Sequence, residues 1–139
     1  MTILDKSNYF KGLLLLARKD NIIAKQEKEL LLQVGKSLSF EENFCHEAIN
    51  YILDNEYISN EPPVFSSVEV AQSFIRDGIR LALSDENLSP YEIEWLQAVA
   101  EKNSLSSEWL NDELRKYITD EQEDYDSPAL ELNSLLQSA

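Results

Sequence analysis

Residues 82–105, ALSDENLSPYEIEWLQAVAEKNSL, repeat residues 17–40, ARKDNIIAKQEKELLLQVGKSLSF, at a constant offset of 65 and without a gap. Asp20 falls on Asp85, Ile23 on Leu88, Glu27 on Glu92, Glu29 on Glu94, Leu31 on Leu96 and Val34 on Val99. Each copy reads as Asp, then an apolar residue, then Glu at the mouth of an apolar helix. Such internal similarity is the mark of a fold with two related halves.

The pattern extends outward from both copies. A first helix is expected over about residues 5–18, with Tyr9, Leu13, Leu16 and Ala17 on one stripe, and a second over 25–37 carrying Leu30, Leu31 and Val34. Ser39 with Glu42 reads as a capping box for a third helix that ends near Asp54. Residues 55–65 contain Asn60, Pro62 and Pro63 and read as the connection between the halves. Ser66 with Glu69 then opens a fourth helix, and Ser89, Pro90 and Glu92 give a fifth its cap, its first-position proline and its third-position acid. Ser106 caps a sixth. The expected fold is all-α: a single-domain bundle over residues 1–118, of two three-helix halves at about 5–54 and 67–118, with Phe10 equivalent to Ile75 and Leu31 to Leu96. Residues 119–139 form an acidic tail, with five acids between Asp120 and Asp126, and Leu132, Leu135 and Leu136 mark a short terminal helix after Pro128.

With 139 residues the chain fits one domain, and with four prolines and three glycines it favours helix. A net charge of -14 repels phosphate backbones and anionic headgroups, which argues against nucleic acid as a ligand and favours cations or a protein partner with a basic surface. Cys45 has no partner for an internal disulfide, and the Leu13–Leu16 run is too short to span a bilayer. A cytoplasmic protein without direct membrane insertion is the expectation, and the terminal leucines leave open a homodimer.

Asp20 and Asp85 stand where one helix ends, and Glu27 and Glu92 stand in the first turn of the next. If the halves pack around a two-fold axis, these four carboxylates converge as hard oxygen ligands for a divalent cation, calcium, magnesium or manganese rather than zinc. The plainer alternative is that Glu27 and Glu92 cap their helices and that the aspartates serve as turn residues. An EF-hand is excluded: Asp85, Asn87 and Ser89 match alternate ligand positions, but Pro90 stands where glycine is required and Leu96 where a bidentate Glu is required. His46 shares a helix face with Glu42 and Asn50, and Asp77 beside Gly78 reads as helix surface. No phosphate loop, CxxC pair or HExxH is present, so no enzyme is expected.

The segments LLLLARKDNIIAKQEKELLLQVGKSLSF and IRLALSDENLSPYEIEWLQAVAEKNSL resemble the tellurite-resistance TerB family, whose domain also occurs in DjlA-type co-chaperones. The likeness covers roughly residues 9–117. It implies an all-helical domain of two halves, a non-enzymatic stress-response role, and an acidic cation site at Asp20, Glu27, Asp85 and Glu92. The glycine that often follows the family's Asp is Asn21 in one copy and Glu86 in the other. Tellurite is an anion, and so acidic a surface does not suit it. The alternative function is an acidic protein-interaction module without a metal, and a weaker third reading is a mimic of nucleic acid.

Overall fold

The computed structural model describes residues 1–18, 23–54, 61–84, 88–119 and 131–137. These form seven α-helices in one packed bundle: α1 (Ile3–Ala17), α2 (Lys25–Ser37), α3 (Glu42–Asp54), α4 (Val68–Leu83), α5 (Pro90–Lys102), α6 (Ser107–Thr119) and α7 (Glu131–Gln137). Among the described residues there is no strand. None of the described helices is long and apolar enough to cross a membrane.

Helices α4, α5 and α6 begin 65 residues after α1, α2 and α3, and their partners follow the same exchange. Helix α1 packs on α2, α3 and the other half's α5, while α4 packs on α5, α6 and the other half's α2. The two helices are also packed against each other, through Tyr9, Leu13, Leu16, Phe74, Ile75 and Gly78 among others. The turns after α2 and α5 are built alike. Ser39 and Ser104 are left-handed, at φ 67° and 61°, and beyond them the Phe40 N–H reaches the Gly35 carbonyl at 2.9 Å as the Leu105 N–H reaches that of Ala100 at 2.8 Å. This six-to-one closure uses carbonyls that a helix end otherwise leaves unpaired.

Three local expectations need correction. The first helix starts at Ile3, because Thr2 and Asp5 form a capping box. Ser39, spent in the left-handed turn, does not cap α3, whose first helical bond runs from Cys45 N–H to the Glu41 carbonyl. Helix α4 is capped by Ser67, which accepts from Val70 N–H, while Ser66 gives its N–H and hydroxyl to Asp5. The α5 cap stands as read, and Ser106 accepts from Trp109 N–H.

The segment before α4 is held at Ser66 by Asp5 and further back by a second side chain. Asn103, at the end of α5, accepts from Phe65 N–H at 2.8 Å and donates to the carbonyls of Pro63 and Val99, each at 2.9 Å. Pro63 and Phe65 are thereby tied to the end of α5.

Candidate functional site

Glu27 and Glu92 occupy equivalent places and are both completely buried. Each spends Oε1 on the N–H of its own N-cap residue, Ala24 at 3.1 Å and Ser89 at 2.9 Å. In α5 the box is reciprocal, because Ser89 Oγ accepts from Glu92 N–H; in α2 the alanine has no oxygen to offer, so only half the box exists. Capping is therefore a role both glutamates have. Asp20 and Asp85 lie outside the described residues, and so does their meeting with Glu27 and Glu92. Among the described residues, no group of three or more His, Cys, Asp or Glu side chains could hold a metal. The acidic run from Asp120 to Asp126 also lies outside them.

A network that sequence reading missed sits on α4. Asp77 is 1% exposed, and its carboxylate accepts from the Tyr9 hydroxyl at 2.6 Å and from the backbone N–H groups of Glu131 and Leu132 at 2.8 and 3.1 Å. Tyr9 and Ser73 share a further hydrogen bond of 2.9 Å. Burial is the largest influence on Asp77 and outweighs these donors and the Arg80 charge, pushing its carboxyl up to about 6. The Tyr9 hydroxyl is held well above its ordinary value by burial first and by the neighbouring carboxylate second.

This carboxylate receives the start of α7. Leu132 is fully buried, Leu135 and Leu136 are packed against the core, Glu131 pairs with Arg80 at 3.4 Å, and Ser37 donates to Asn133 at 2.8 Å. Helix α7 thus fills a groove made by α4 of one half and α2 of the other. Beside it, Arg76 pairs with Glu113 at 3.2 Å and stacks on Trp109, and Arg80 lies over Tyr117.

On α1 lies an open cleft of about 450 Å³, walled by Leu4, Asn8, Lys11, Gly12 and Leu15 on one side and by residues 61–64 on the other, with Lys102 at its end. Leu4 is 69% and Val64 55% exposed, so the cleft has an apolar rim. Gly12 is required by packing: a Cβ there would stand 2.7 Å from the Phe74 ring.

Two residues weighed from sequence have plain structural roles. His46 forms an exposed pair with Glu42 at 3.7 Å. Cys45 is buried against Gly35, and burial, with a smaller push from Glu42, raises its thiol above the ordinary value, away from reactivity. Comparison with protein-family models, with curated proteins and with solved structures finds no match to this chain.

Proposed function

We propose that the chain is a TerB-like helical module that works by binding a partner protein and carries out no chemistry of its own. The observation that supports this best is the cleft on α1, where Leu4 and Val64 hold apolar surface in water beside two lysines. Exposed apolar side chains grouped at a concave place are costly to keep unless something covers them. Photo-crosslinking in cells of the source organism tests the reading. A benzophenone side chain placed at Val64 should give a protein adduct of discrete mass, and one placed at the exposed Glu108 should not. No adduct at position 64, or the same adducts at both positions, would remove the interaction reading.

Divalent-cation binding through Asp20, Glu27, Asp85 and Glu92 is the second reading. It is favoured by the complete burial of two glutamates at equivalent positions, each with one oxygen on its cap. Calcium and magnesium titration should then show Asp85→Asn losing most of the affinity and Asp124→Asn little, because diffuse charge attracts ions without coordinating them. Equal, weak effects would leave the carboxylates as caps.

A further inference from the structure

The filled groove on α4 describes what the open cleft on α1 should take, a step that rests on the reading that a protein partner covers that cleft. Asp77, Arg80 and Ser37 bond to α7, while Ser73 and Arg76, on the same helix as Asp77, bond to Tyr9 and Glu113. Sixty-five residues away stand Asn8, Lys11, Gly12, Leu15 and Lys102, and all five line the cleft. The exchange of halves is the same in both places: α4 with α2 for the groove, α1 with α5 for the cleft. By position along the chain, the cleft is therefore the second copy of a groove that this fold fills with an amphipathic helix.

The chemistry differs between the copies in a way that specifies a ligand. In the filled groove both arginines are answered from within the chain, Arg76 by Glu113 and Arg80 by Glu131. The counterpart of Glu113 is Ala48 and that of Glu131 is Ser66, so the repeat supplies no equivalent acid to the cleft's lysines. Where Arg80 stands in one copy, the buried Leu15 stands in the other, and the exposed apolar surface there comes from Leu4 and Val64. Segment 61–64 already takes part of the space, with the Pro63 ring 3.2 Å from where a Gly12 Cβ would lie. What remains, about 450 Å³, suits one or two side chains rather than a whole helix.

We infer that the cleft seats an acidic segment of a partner protein, with one apolar side chain between Leu4 and Val64 and its carboxylates on Lys11 and Lys102. A polyanionic nucleic acid does not fit, because the charge of -14 repels it and the apolar rim has nothing to offer a phosphate. An acidic peptide meets the same long-range repulsion but recovers it locally through two charge-assisted contacts and apolar burial.

The test is fluorescence anisotropy of the full chain with a short fluorescein-labelled peptide of leucines separated by glutamates. It should bind, and Lys11→Glu and Lys102→Glu, both at exposed positions, should each weaken it by about ten-fold without moving the melting temperature. Non-specific attraction to so acidic a chain would favour a lysine-bearing peptide instead, so preference for the acidic one is diagnostic. Absence of binding, or equal binding by wild type and Lys11→Glu, overturns the inference. Self-association in sedimentation that Lys11→Glu abolishes would make the occupant a second copy and overturn it likewise. If crosslinks form at Val64 while the acidic peptide fails, only the ligand chemistry is wrong; if both fail, the interaction reading falls too.

Discussion

Helices α4 and α1 start 65 residues apart and differ in what lies on them, α4 being covered by the chain's own α7 and α1 left open beside a proline-bearing segment. The difference rests on few residues. Asp77 takes the N–H groups of an incoming helix start, whereas its counterpart Gly12 has no side chain and lies against Phe74. Arg80 holds an acid, whereas its counterpart Leu15 is buried. Helices that start 65 residues apart and pack with the same exchange of partners thus carry different side chains at matching positions.

Transplanting the acid is the severest test of that comparison. Gly12→Asp would drive a Cβ to 2.7 Å from the Phe74 ring and bury a carboxylate without Tyr9's hydroxyl to receive it. We expect a loss of about 4 kcal/mol in urea unfolding from overpacking and an uncompensated charge. A tolerated Gly12→Asp would mean that the two positions are interchangeable and that their divergence carries no structural weight.

The next effect concerns pH. Asp77 binds its proton more tightly folded, near 6, than unfolded, near 3.8. Its contribution is therefore fully present below pH 3.8 and is lost as the pH rises through 6, an amount of up to about 3 kcal/mol. Among the described residues, Tyr9, Arg80, Tyr117 and Glu131 face it, and Glu131 is the second carboxyl of this group. Unfolding measured in steps from pH 4 to pH 7 should show this decline in wild type and not in Asp77→Asn. Asp5 behaves oppositely. Burial alone would raise it, but the bonds from Ser66 and Thr2 together hold it below its ordinary value, so its stabilisation is lost only as the pH falls through the acid range. A decline that persists unchanged in Asp77→Asn would assign it to general charge repulsion.

The smallest effect is at the far side of α7. Ser37→Ala removes the bond to Asn133 and should cost about 1 kcal/mol, read as faster amide exchange in α7 with the exchange of α5 unchanged. Equal acceleration in both helices would show that α7 does not open by itself.

Much of this fold is legible because its signals are local. Serine, proline and glutamate at 89, 90 and 92 start a helix on their own chemistry, and the apolar spacing of α2 and α4 puts Leu31, Val34, Phe74 and Ile79 inside. The errors come where a distant partner decides. Ser66 looks like a cap until Asp5, 61 residues away, claims it, and the cap passes to Ser67. Asp77 looks like helix surface, although its position three residues after Phe74 and four before Leu81 places it on the buried stripe; only the arrival of α7 explains a carboxylate there. The cleft was invisible for the same reason. Lys11 and Lys102 are far apart along the chain, and nothing in either neighbourhood marks them as companions.

Asn103 gives the cleft a property that its shape does not convey. With three hydrogen bonds, one amide ties Pro63 and Phe65 to the last turn of α5, so the wall made by residues 62–64 stands in place before anything arrives. Ordering a loop on binding would cost a ligand part of its interaction energy, on the order of 1 kcal/mol for each residue immobilised. Here that entropy has been given up during folding. A short segment with few contacts can then be held by a surface whose backbone at Pro63 and Phe65 is already in place.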